Sequence, residues 1–200
     1  MKALLTLISL TAAVLAALPV LAADNADPDW PCIQRRTGAM SPGVLWPLPL
    51  GEADATGEAG ELAAALALRR VDLDEAEARV EAFASAHPDL GPDDWGAVFR
   101  AAFERIDHDR ERVLAGIVRY ARSQIALAER IDAAHAEMAA LGAAKEPDFD
   151  RMDVLEEQID WDERIYKERE RALTYVCETP VLLEKRAYAV AQILLKRVPQ

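Results

Sequence analysis

Histidine occurs three times and cysteine twice in 200 residues, which leaves little material for imidazole or thiol chemistry. Neither cysteine has a second cysteine or a histidine at ligand spacing, so zinc fingers, ribbons and C-x-x-C redox motifs are excluded. No glycine-rich phosphate cradle, nucleophile elbow or zinc-protease helix motif occurs. Carboxylates are plentiful, but on acidic helices that says almost nothing about catalysis, and the reading is that the chain is not an enzyme. Basic side chains are in deficit, 23 against 35 acidic, for a formal charge of -12. That balance is repelled by phosphate backbones and anionic membranes, which excludes nucleic acid and favours protein or cationic partners. Alternating apolar and polar runs are missing as well, and what remains reads as helix.

Residues 1–23 read as a secretory leader. Lys2 precedes an apolar run from Ala3 to Leu18, and Pro19 with Val20-Leu21-Ala22-Ala23 supplies a small-residue cleavage region before polarity begins at Asp24. The competing reading is an uncleaved anchor, because about 20 apolar residues span a bilayer. The helix-breaking Pro19 favours cleavage, and with it a mature chain that does not insert into membrane. In an oxidising compartment the isolated pair Cys32 and Cys177 is most simply one disulfide. The loop it closes is long, and chain entropy assigns it roughly 5 kcal/mol as an upper figure. A free or intermolecular thiol is the alternative.

From Asp24 to Leu50 the chain carries Pro28, Pro31, Pro42, Pro47 and Pro49 and no sustained helical period, which predicts an extended or turn-rich arm. The arm is too apolar for a solvated tail: Trp30, Ile33, Met40, Val44, Leu45, Trp46, Leu48 and Leu50 all need a surface to lie on. Gly51 to Gly60 (GEADATGEAG) reads as a flexible acidic joint, so that residues 24–60 form the arm and joint and 61–200 a helical domain.

A first helical region spans about 61–86, interrupted near Asp72, where Asp72-Leu73-Asp74-Glu75 resembles a capping box. Pro88 and Gly91 stop it, and Gly91-Pro92-Asp93-Asp94 opens a second helix that meets no breaker until Gly142. Along it Ile106, Arg110, Val113, Ile117, Tyr120, Gln124, Leu127, Ile131, Ala134, Met138 and Leu141 step by four and three, a coiled-coil seam. After a short reversal the seam restarts at Phe149, Met152, Leu155, Ile159, Asp162, Tyr166, Arg169, Leu173 and Val176. The expected fold is therefore all-α: a long antiparallel hairpin over about 92–178, on a small helical base. Pairing Leu141 with Phe149 places Ala134 near Leu155, Gln124 near Tyr166 and Val113 near Val176. Asp162 and Arg169 then make the middle of the hairpin polar, a layer that commonly fixes register. Thr179-Pro180 caps or kinks a last helix over about 180–197. The pattern leaves open whether the seam closes within one chain or between two, as in a homo-oligomer.

Among candidate site residues, His87 lies where a helix C-terminus favours a cation. His108 sits between Asp107 and Asp109 on a helix, where neighbours point about 100° apart and cannot converge on one ion. His135 and Met138 have the spacing of a soft-metal pair, and also of a seam methionine beside an exposed histidine. Asp148, Asp150 and Asp153 open like a calcium loop, but the required glycine and terminal glutamate are missing. The carboxylates from Asp148 to Glu163 read as a solvated charged face, with acidic metal or cation binding in a stress role as the alternative function. No cofactor and no metal site is assigned.

The segment Asp29-Trp30-Pro31-Cys32-Ile33-Gln34-Arg35-Arg36, followed by Pro42 and Trp46-Pro47, resembles an uncharacterised family of exported proteobacterial helical proteins that open with a Trp-Pro-Cys-x-Gln-Arg segment. The resemblance covers about 25 residues and implies a periplasmic location, with no activity to carry over. Two readings of the arm stay open: Trp30 and Trp46 complete the core of the base, or Trp30, Gln34, Arg35, Arg36 and Trp46 meet a protein partner. The function expected is that of a non-catalytic periplasmic element of protein-binding, adaptor or chaperone-like kind.

Overall fold

A computed structural model describes residues 29–199; the leader expected over residues 1–23 lies outside them. The described residues contain five helices and no strand: α1 (Pro42–Leu45), α2 (Gly57–Ala67), α3 (Leu73–Ala86), α4 (Pro92–Gly142) and α5 (Phe149–Leu195). None is long and apolar enough to cross a membrane.

The two long helices form the hairpin. With 51 residues in α4 and 47 in α5, they run about 77 and about 71 Å at ~1.5 Å per residue. All eleven expected seam positions of α4 are buried or half-buried, as a period of alternating three and four requires of a helix packed along one stripe. In the middle of the hairpin the register follows the expected pairing. Ala134 packs with Leu155 and Ile159 in a small distal cluster, and Gln124 Nε2 donates to the Tyr166 carbonyl at 3.2 Å. Tyr120 Oη donates to the Arg169 carbonyl at 3.0 Å.

The seam of α5 departs from expectation at both ends. Phe149 is 68% exposed, because α4 has ended at Gly142 and Met152 already lies over that glycine. Val176 is exposed while its neighbour Cys177 is buried. Beyond that point the helix does not stop: Pro180 sits inside α5, and the separate C-terminal helix expected from about residue 180 is the continuation of the same rod. Proline removes one helical hydrogen bond, at a cost of about 3 kcal/mol. Burial offsets it here, since Cys177, Pro180, Leu183, Ala187, Val190 and Leu194 are all buried and continue the stripe across the breaker.

The base gathers around the first turns of α4 and the last of α5. Leu62 and Leu66 of α2, Val80 of α3, Trp95, Val98, Phe99, Ala102, Phe103 and Ile106 of α4, and Leu183, Val190 and Leu194 of α5 form one core with Trp46. Asp72 caps α3, its side chain accepting from the Glu75 amide at 2.7 Å, as the sequence predicts. The joint is tighter than expected. Helix α2 already begins at Gly57, whose φ of 54° favours glycine, and Arg100 donates to the carbonyls of Gly51 and Ala53.

Candidate functional site

The arm runs along the hairpin as a third, largely irregular segment. Asp29 accepts from Arg122 of α4 at 2.6 and 2.9 Å, Cys32 is joined to Cys177 of α5, Thr37 and Gly38 meet Arg110, and Gly51 reaches Arg100. The arm thus descends α4 from residue 122 to residue 100, antiparallel to it, and crosses to α5 on the way. The Arg122 hydrogen bond holds the Asp29 carboxyl below its ordinary value of 3.8.

Arg110 fastens arm to stalk. It is almost wholly buried and donates through Nε to Glu184 of α5 at 2.8 Å, through Nη2 to the Thr37 and Gly38 carbonyls at 3.3 and 3.0 Å and to the Thr37 hydroxyl. The Thr37 hydroxyl donates in turn to Glu184 at 2.9 Å. A buried guanidinium is tolerated only with partners of this kind. Arg186 is the second buried arginine. It donates to the carbonyls of Leu66 and Val71 at 2.8 and 2.7 Å, at the C-terminal end of α2, where a cation is favoured. Burial lowers its pKa and the Asp72 charge opposes that. In the stalk, Asp162 is buried and accepts from Arg130 at 2.6 and 2.8 Å; that hydrogen bond raises the pKa of Arg130.

The residues proposed for partner binding separate into two groups. Trp46 is 1% exposed and stacks on Phe99 with ring centroids 4.9 Å apart, so the indole belongs to the core. Trp30 is half-buried and donates to the Gln34 carbonyl at 2.7 Å, with the Arg36 guanidinium 6.0 Å from its ring. Arg35 and Arg36 are exposed, and Ile33 is fully exposed, so this end of the arm presents a turn held by the disulfide.

The histidines and the acidic run have local partners. His87 caps α3 through its backbone and lies 2.9 Å from Glu58. His108 is exposed. His135 lies 3.3 Å from Glu163, whose pKa is lowered by Lys167 first and His135 second. Met138 packs on the distal cluster. Asp148 caps α5, accepting from the Arg151 amide at 3.0 Å. Among the described residues no three His, Cys, Asp or Glu side chains converge on one point.

One surface escaped the sequence reading. Along the face of α5 turned away from α4, Val154, Trp161, Tyr175 and Leu182 recur at multiples of seven residues, interrupted by Glu168, and Trp161 and Tyr175 are 60% and 77% exposed. Residues seven apart lie two turns apart on nearly one face. The stripe is a second seam with no helix on it among the described residues, and the step of seven was the signal that could have found it. Compared with known proteins, the chain matches no family model, no curated protein and no solved structure.

Proposed function

We propose that the chain is a non-catalytic, periplasmic protein-binding element of adaptor or chaperone-like kind, whose hairpin presents the outer face of α5 to a helical partner. The observation that carries this is the exposure of Trp161 and Tyr175 on one periodic apolar stripe. Large exposed aromatics in register are the side chains that dominate interface energies. A rod of two helices gives such a stripe reach and stiffness, and the arm braces the rod where it leaves the base. The Cys32–Cys177 bridge supports an oxidising, extracytoplasmic location, in keeping with the leader expected at the N-terminus. Since the inner seam is filled by the chain's own two helices, self-association would use this outer stripe.

Affinity capture from periplasmic extract with the intact protein, with Trp161→Ser/Tyr175→Ser, and with the hairpin shortened between Ala126 and Ile159 tests the proposal. Each aromatic contributes about 2 kcal/mol to a complex, roughly thirtyfold in Kd, so the doubly substituted form loses the specific partner, while the shortened form, which keeps Trp161 and Tyr175, retains it. Equal recovery by all three forms refutes it.

A further inference from the structure

We propose that the cleft between α4 and α5 beside the base is a binding site for a small organic dianion, of the phosphate-monoester type. The cleft is open to solvent, has a volume of about 500 Å³ and is lined by the exposed Arg69, Arg112 and Arg119, with Asp109, Thr179 and an apolar wall of Val113, Ala115 and Leu183. That size suits a small molecule.

Three arginines meet in this cleft. With 35 acidic side chains against 23 basic, an arginine here has carboxylates to choose from, and Arg79, Arg122, Arg130 and Arg151 each take one at under 3 Å. The side chains of Arg69 and Arg119, like those of the exposed Arg105, Arg164 and Arg171, make no hydrogen bond or ion pair with any described residue, but these two stand together in one cleft, and Arg112 reaches Asp109 only at 3.4 Å. Three guanidiniums against the single Asp109 carboxylate leave two positive charges uncompensated in one cleft.

Two segments supply them. Arg69 comes from the turn between α2 and α3, while Arg112 and Arg119 stand two turns apart on one side of α4. A dianion with three oxygens can accept from guanidiniums on more than one side, the recognition to which arginine's planar fork is suited. The Thr179 hydroxyl adds a donor, and the Val113 and Leu183 wall accommodates an apolar body attached to the anion. The overall negative charge does not forbid this, because at physiological ionic strength charges more than about 8 Å away are largely screened and the nearest ones decide.

Calorimetric titration of the intact, oxidised protein with phenyl phosphate, beside inorganic phosphate and phenol, provides the test. The expected result is one saturable site for phenyl phosphate with half-saturation below about 1 mM at low salt, weaker binding of inorganic phosphate and none of phenol. Arg69→Gln/Arg119→Gln loses at least about tenfold in affinity, whereas Arg164→Gln/Arg171→Gln, which removes the same charge from exposed sites on α5, changes it less than about twofold. Circular dichroism verifies that both double variants keep their helices. The proposal is overturned by absence of saturation up to about 10 mM, by equal weakening in the two double variants, by phenol binding as well as phenyl phosphate, or by inorganic phosphate binding as tightly.

Discussion

Replacing Trp46 measures whether the arm is part of the core or merely tied to it. The indole is 1% exposed and stacked on Phe99, and burying a ring of that size withdraws about 150–250 Å² from water, ~4–6 kcal/mol at ~25 cal/mol/Å². Trp46→Ala leaves a cavity lined by Phe99 and its neighbours and is expected to destabilise the oxidised protein by about 3–5 kcal/mol. Trp46→Phe separates apolar burial from hydrogen bonding. The indole Nε1 is buried without an acceptor among the described residues, and an unpaired buried donor costs about 1–3 kcal/mol. Removing it offsets the smaller volume of phenylalanine, which costs on the order of 1 kcal/mol. Trp46→Phe is therefore expected to lie within about 1 kcal/mol of the parent. Urea denaturation followed by far-ultraviolet circular dichroism, with the disulfide intact in every form, reads both values. A change below about 0.5 kcal/mol for Trp46→Ala, the range of an ordinary surface substitution, refutes the placement of the arm in the core. Equal losses for phenylalanine and alanine refute the account of the unpaired N–H.

Three further outcomes follow from the geometry. Cys32→Ser/Cys177→Ser is expected to lower stability by up to about 5 kcal/mol through the long loop that the bridge closes, and unchanged mobility of the parent protein on denaturing gels with and without reductant would contradict the bridge. Because Arg122 depresses the pKa of Asp29 below 3.8, the contribution of that pair is complete above the ordinary aspartate value and lost as pH falls through the lower folded value; Asp29→Asn should remove that component from an acid titration of arm protection, and an identical acid limb in both proteins would disprove it. Arg130→Met strands the buried Asp162 carboxylate and is expected to lower Tm by several degrees, while Asp162→Leu added to it restores the loss; if the second substitution deepens the loss, the ion pair has some other role.

The hairpin was legible because its signal is one of period. Ile106, Ile117, Leu127 and Ala134 mark a stripe that no other secondary structure satisfies, and Asp72 and the Gly91-Pro92 pair bounded two of the helices, whereas the cap that Asp148 makes on α5 was read only as part of an acidic run. Pro180 was misleading, since its local rule ends a helix in isolation and takes no account of the buried stripe on either side. Phe149 failed for lack of a neighbour, because only the turn faces it. The core position of Trp46 and the exposed place of Trp161 could not be separated by composition, as both are tryptophans in apolar company. Arg110 was read as a polar residue of the seam; its work in gripping Thr37 and Glu184 depends on contacts 73 and 74 residues away, which no local pattern encodes.

The order in which the chain is made gives the strap a further meaning. Each anchor of the segment from Asp29 to Gly51 lies downstream, at Arg100, Arg110, Arg122, Cys177 or Glu184. A polypeptide emerging N-terminus first exposes Trp30, Cys32 and Trp46 long before their seats exist, and the seats are complete only when residue 184 has followed. Closure of such distant contacts is entropically slow. Docking of the strap therefore cannot be completed before residue 184 has been made, and a chain interrupted short of Glu184 lacks part of the seat for its own leading segment.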